Sequence, residues 1–135
     1  MSVVKVWIHA VWATKGRYPF LHDRIRSQVF SHIVQNARYK KISIDRINGY
    51  ADHVHVLFTL RSTQRLAEVI HLLKGESSRW INRNQLTEEP FEWQTDYWAV
   101  SVCESTLASV RKYIDRQENH HRLRSVRGAP RTPPL

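Results

Sequence analysis

The chain is poor in the residues that define several common protein classes. It has one cysteine, Cys103, among 135 residues, so an internal disulfide framework and a multi-cysteine zinc site are both excluded. No run of about 18 apolar residues occurs, which argues against a membrane-spanning helix. The opening residues Met1-Ser2-Val3-Val4-Lys5 lack the charged leader, apolar stretch and cleavage site of a secretion signal, so a cytoplasmic protein is expected. No internal repeat or low-complexity block stands out. Acidic residues are scarce: 12, against 21 lysines and arginines, for a formal charge of +9. What is present is a hydrophobic share of 41%, too high for a disordered basic tail and sufficient for one packed domain over residues 1–126. Residues 127–135 are proline-rich and basic, and are expected to be extended or disordered. Fifteen of the basic residues are arginines, whose planar fork suits phosphate. The expected partner is an anion, with nucleic acid the leading candidate.

Periodicity supplies the fold class. Val4, Val6, Ile8, Ala10 and Trp12 alternate along a first strand predicted over 3–14, with Lys5, Trp7, His9 and Val11 on its other face. Ile25, Val29, Ile33 and Ala37 recur every fourth residue and predict a helix over 23–39. A second strand is predicted over 42–47, a turn at Asn48-Gly49, and a third strand over 53–60. Ser62 or Thr63 can cap a helix carrying Leu66, Val69, Ile70, Leu73, Trp80 and Ile81. A fourth strand is predicted over 97–103. A last helix, capped by Ser105, is predicted to run to Leu123, with Leu107, Val110 and Ile114 facing inward. The order β-α-β-β-α-β plus a helix is that of an α+β, ferredoxin-like antiparallel sheet with an extra C-terminal helix. Two helices cover one face. The other face must be covered by a partner, a ligand or the last helix. The first and third strands are central neighbours in this fold, which brings His9 near the third strand.

The third strand carries His53-Val54-His55-Val56-Leu57-Phe58. Two imidazoles at i and i+2 project from one face, about 7 Å apart at Cα, a spacing that suits two ligands of one metal ion. In a chain with this many histidines about 0.5 such pairs arise by chance, so position carries the weight. The pair interrupts an apolar, central strand where polar side chains must be satisfied or functional. A site and a pair of packing histidines both remain open on these residues. On the last helix, Tyr113 and Gln117 share a face and His121 continues it. A phenol with an ordinary pKa near 10 needs nearby cations or a metal-bound phosphate to act as a nucleophile. The alternative is a tyrosine that only widens the apolar stripe. Gln117, His120 and His121 are each candidates for a third ligand.

Together these segments resemble the single-tyrosine HUH transposases of the insertion-sequence-200-like type. The resemblance covers residues 5–121. It rests on Ile8-His9-Ala10-Val11-Trp12-Ala13-Thr14-Lys15, Asp52-His53-Val54-His55-Val56-Leu57, Phe91-Glu92-Trp93-Gln94 with Tyr97-Trp98-Ala99-Val100-Ser101-Val102, and Tyr113-Ile114 with Gln117-Glu118-Asn119-His120-His121. The Trp-Gln segment and the Gln-x-x-His-His ending look most like the relatives associated with repetitive extragenic palindromes.

The resemblance implies a transposase that cleaves and rejoins single-stranded DNA at hairpin-flanked sites. Tyr113 would be the nucleophile, forming a 5′-phosphotyrosine link and a free 3′-hydroxyl. His53, His55 and Gln117 would hold a divalent ion, Mg2+ or Mn2+, acting as a Lewis acid on phosphate. Imidazole suits manganese better than magnesium. Asp52 could orient an imidazole; His9 and His121 are expected to support the site. The resemblance also implies a homodimer in which the tyrosine helix can complete the partner's active site. Lys15, Arg17, Arg111, Lys112 and Arg116 are the expected phosphate contacts. Trp93 and Trp98 could stack on unpaired bases or belong to the core or an interface.

Two departures stand out. Lys15-Gly16-Arg17-Tyr18 replaces the family's aromatic and arginine pair after the first-strand lysine. No glycine lies between Ala99 and Tyr113, which does not support a freely hinged tyrosine helix. Two other readings compete: a domesticated DNA-hairpin-binding protein without transposition activity, and a small metal hydrolase using His53, His55 and His121 with activated water.

Overall fold

The computed structural model describes residues 1–118. Four strands, β1 (Val6–Ala13), β2 (Ser43–Tyr50), β3 (His53–Leu60) and β4 (Trp98–Val102), alternate with three helices, α1 (Asp23–Tyr39), α2 (Leu66–Arg83) and α3 (Leu107–Asp115). The strands form one antiparallel sheet in the order β2-β3-β1-β4. This is the α+β arrangement expected from the sequence, with α3 added after the sixth element.

Alternation in β1 and β3 decides what each face meets. Ile8, Ala10 and Trp12 of β1 and Val54, Val56 and Phe58 of β3 pack with Ile25, Val29 and Ile33 of α1 and Val69, Ile70 and Leu73 of α2. β1 begins at Val6 and not at Val3, because Val6 is paired with Leu60, the last residue of β3. Upstream of it the backbone has no ladder to join, and Val3 and Val4 are exposed.

The predicted turn at Asn48-Gly49 is displaced. Both residues lie within β2, and the reversal is made by Ala51-Asp52, between the paired residues Tyr50 and His53. Gly49 serves close approach instead: a Cβ there would collide with the backbone carbonyl of His53. Neither Ser62 nor Thr63 caps α2. Its N-cap is Arg65, with no side-chain cap, and the preceding turn is closed by Gln64, which accepts from the Arg61 N–H and donates to the Lys41 carbonyl.

The second face of the sheet is covered by the chain's own α3. Leu107 and Ile114 are buried against Leu57, with Trp7, Val102 and Val110 alongside. Polar contacts fix the helix from β2. A bulge between Ile44 and Arg46 interrupts the β2–β3 register, and Asp45 there takes both forks of the Arg111 guanidinium at 2.8 and 3.0 Å. The Asn48 amide donates to the carbonyls of Ile114 and Asp115 at 2.9 and 3.2 Å, capping the C-terminus of α3, where carbonyls lack helical partners. Ser105 sits in a 3-10 turn (Glu104–Thr106), and Thr106 occupies the cap position. α3 closes at Asp115 with a turn at Arg116, Gln117 and Glu118 are again helical, and the rest of the expected run to Leu123 lies outside the described residues. His120, His121 and the tail at 127–135 lie outside the described residues. No helix among the described residues is long and apolar enough to cross a membrane.

Candidate functional site

His53 and His55 open β3 and point toward α3 from the centre of the sheet. Both are fully buried, and their ring centroids are 5.2 Å apart. Burial of two imidazoles on a central strand requires that their nitrogens be satisfied, and the surroundings of the two rings differ.

Nδ1 of His53 lies 2.9 Å from Oδ1 of the buried Asp52. A carboxylate only accepts, so this nitrogen carries the proton. The other oxygen of Asp52 accepts from Arg17 Nε at 3.2 Å. Arg17 belongs to the turn after β1, where Gly16 and Arg17 both take left-handed φ values of +62 and +56°. Nε2 of His53 faces Oε1 of Gln117 at 3.4 Å, while the amide nitrogen of Gln117 donates to the Tyr113 carbonyl at 3.2 Å. With Nδ1 protonated, a neutral His53 turns a lone pair toward a second lone pair. A metal ion between them would remove that repulsion, so the donor set fits a divalent ion. Among the described residues no cluster of three or more histidine, cysteine or acidic side chains could hold one. A metal here would depend on two imidazoles and the amide oxygen of Gln117.

His55 meets a different neighbour. Its Nδ1 lies 2.9 Å from Nε2 of His9, which projects from β1 on the same face, and the two rings meet edge to edge, centroids 5.2 Å apart and planes inclined by 27°. Burial lowers the His9 pKa from 6.5 to about 4, because the imidazolium would lose its hydration there. Trp98 of β4 sits edge-on to His9 at 5.2 Å. Tyr113, 40% exposed, closes the cluster, its ring 5.5 Å from that of His55 and 6.2 Å from that of His9.

The structure therefore brings together Asp52, His53, His55, His9, Gln117 and Tyr113. His121 falls outside the described residues. The expected phosphate contacts do not form one cluster. Lys15 pairs with Glu92 at 2.9 Å, and Arg17 is held by Asp52. Arg111 is engaged by Asp45 and lies over the Trp7 ring at 5.5 Å. Lys112 and Arg116 are exposed on or just after α3. Trp93 is a core residue: it is buried, donates from Nε1 to Ser77 Oγ at 2.9 Å and meets Trp12 edge-on. Trp98 remains partly exposed. Two positioning residues escaped sequence reasoning, Asp45 and Asn48. Their partners lie 66 residues away in the chain, and no local pattern marks them.

Comparison with known proteins bears on the family and the fold. The family model described as transposase, IS200 like, matches residues 2–117. The ISDra2 transposase TnpA of Deinococcus radiodurans is 25% identical over 122 residues, covering 87% of each chain. A crystal structure described as a transposase from Deinococcus radiodurans superposes with a TM-score of 0.70 at 24% identity, over 87% of this chain and 94% of that one. A REP-associated tyrosine transposase, solved bound to a REP hairpin, gives a TM-score of 0.60 at 13% identity, over 87% of this chain and 67% of its own.

Proposed function

The chain belongs to the IS200-like transposase family, and from that membership we propose that it cleaves and rejoins single-stranded DNA at hairpin-flanked sites, with Tyr113 as nucleophile. The observation that carries this reading is the position of Tyr113. Its ring lies 5.5 Å from that of His55, one helical turn from Gln117, on a helix docked against the chain's own histidine strand.

In the proposed reaction the Tyr113 oxygen attacks the scissile phosphorus. A phosphotyrosine bond to the 5′ side forms, the bond to the 3′ oxygen breaks, and the phenolic proton is balanced by protonation of the released 3′-hydroxyl. Attack by that hydroxyl in reverse rejoins the strand. His53, His55 and Gln117 would hold a divalent ion, Mg2+ or Mn2+, which when bound supplies Lewis-acid polarisation of a phosphate oxygen. Asp52 holds His53 in the tautomer that leaves Nε2 unprotonated. The buried polar wall beneath Tyr113 positions the phenol, and its exposed edge admits a strand. Lys15, Lys112 and Arg116 are the phosphate contacts in this reading; Arg17 and Arg111 act chiefly through Asp52 and Asp45. Hairpin DNA as the partner is supported by the REP hairpin on the structural relative. Docking of α3 against the chain's own sheet favours action of Tyr113 in cis over completion of a homodimer partner's site.

The test uses a labelled hairpin oligonucleotide with Mn2+. An SDS-stable protein–DNA adduct forms with the wild type, is lost on chelation and is lost in Tyr113→Phe. An adduct that persists in Tyr113→Phe removes the tyrosine from its role. Chelator-insensitive hairpin binding with no adduct would instead support a hairpin-binding protein without transposition activity.

A further inference from the structure

The proposed ion site is built on two histidines, yet the chain places a third imidazole directly behind one of them. His9 and His55 come from neighbouring strands, β1 and β3, and both are buried. Their facing nitrogens, His9 Nε2 and His55 Nδ1, are 2.9 Å apart. That is a hydrogen-bonding distance, so one proton sits between them and only one. Two protons would put N–H against N–H, and none would put lone pair against lone pair.

We infer that His9 is a positioning residue that fixes the tautomer of His55: it accepts a hydrogen bond from His55 Nδ1–H and so leaves His55 Nε2 as the electron-pair donor on the side facing Tyr113. His9 then carries its own proton on Nδ1. The inference rests on the reading of His53 and His55 as ion ligands only for its consequence, since the tautomer itself is a property of the metal-free protein.

The two ligands are thereby oriented by unlike groups. Asp52, held in turn by Arg17, puts an anion behind His53. His9 puts a neutral ring behind His55. A carboxylate raises the basicity of the imidazole it accepts from more than a neutral acceptor does, so His53 is the stronger donor and His55 the weaker. His9 also fixes ring orientation. The end-on contact with His55 and the edge-on contact with Trp98 at 5.2 Å hold the ring from two sides. A histidine that only filled space would not require this nitrogen-to-nitrogen alignment.

The experiment reads imidazole nitrogens by 15N–1H correlation in the metal-free protein, at a pH where histidines are neutral. His55 is expected as the Nδ1–H tautomer and His9 as the same tautomer with an accepting Nε2. In His9→Phe, which keeps a ring but offers no acceptor, His55 shifts toward the Nε2–H tautomer. Mn2+ affinity, read by calorimetry, falls about 10- to 100-fold, the usual effect of losing a ligand's supporting partner. His9→Gln, whose amide oxygen can accept, recovers most of both. The inference is overturned if wild-type His55 carries its proton on Nε2, or if His9→Phe changes neither tautomer nor affinity. Should His9→Phe not fold, the wild-type spectrum and His9→Gln decide alone. A wild type that binds no Mn2+ yet shows the Nδ1–H tautomer refutes the ion site while upholding the role of His9 as orienter.

Discussion

Asn48→Ala isolates what docking of α3 contributes. The substitution deletes two donors to the C-terminal carbonyls of the helix, at 2.9 and 3.2 Å, and leaves the β2 backbone ladder intact. A neutral hydrogen bond contributes about 0.5–1.5 kcal/mol net. The second bond is long and solvent-exposed, so the pair is worth about 1.5 kcal/mol. Because α3 lies on the opposite face from the main core, this loss falls on local opening of the helix and not on global unfolding. A change of about 1.4 kcal/mol is tenfold in an equilibrium constant. Amides of α3 should therefore exchange with solvent about tenfold faster, and the rate of covalent adduct formation should fall because Tyr113 and Gln117 spend more time away from the histidines. Amides of β1 and β3 should keep their protection. Hydrogen exchange read by mass spectrometry on peptides spanning 107–115 and 53–60 separates the two. If α3 exchange is unchanged, or if strand and helix accelerate equally, Asn48 is not the helix anchor described here.

Other outcomes follow from the same contacts. Gly49→Ala pushes a methyl group into the His53 carbonyl; overpacking of this kind costs about 1–3 kcal/mol, visible as a lower Tm and, because the strand carrying His53 must shift, weaker Mn2+ binding. Trp93→Phe removes the donor to Ser77 Oγ, which still bonds the Leu73 carbonyl, so a loss of about 1 kcal/mol in urea unfolding is expected, with adduct formation unaffected. For pH, the His9 pKa is about 4 in the folded chain against 6.5 unfolded. The unfolded state binds the proton first as pH falls, so this contribution is intact above pH 6.5 and is lost progressively down to about pH 4, where about 3 kcal/mol has gone. Metal-free His9→Phe should show a flatter slope of stability between those values; an unchanged slope would assign the titration elsewhere.

The parts of the molecule governed by short-range pattern were legible in the sequence. α1 and β3 fall on the residues their periodicity selects, because each buries one face against a continuous core. The same alternation put His53 and His55 on the face away from the helices, with His9 nearby. Misread features depend on groups distant in the chain. Asn48-Gly49 carries the composition of a turn, but its geometry is set by the backbone of His53 and by the carbonyls at the end of α3. Arg111 reads as a free cation until the bulge at Asp45 is known. Alternation alone carries the first strand back to Val3, because it cannot show where the partner strand stops. Trp93 was ambiguous in sequence, and only its contact with Ser77 and Trp12 makes it core.

The sheet order β2-β3-β1-β4 sets a timetable for a chain emerging from the ribosome. β1 is made first, yet its two neighbours are residues 53–60 and 98–102, so the central strand waits for both sides. Loop closure of that length slows folding more than it weakens the product. The histidines of β3 meet His9 as soon as the first 60 residues can pair. Tyr113 is translated after every strand has been made. The histidine wall is thus assembled before Tyr113 arrives, and a chain arrested before α3 would display the imidazoles without the phenol that closes the cluster.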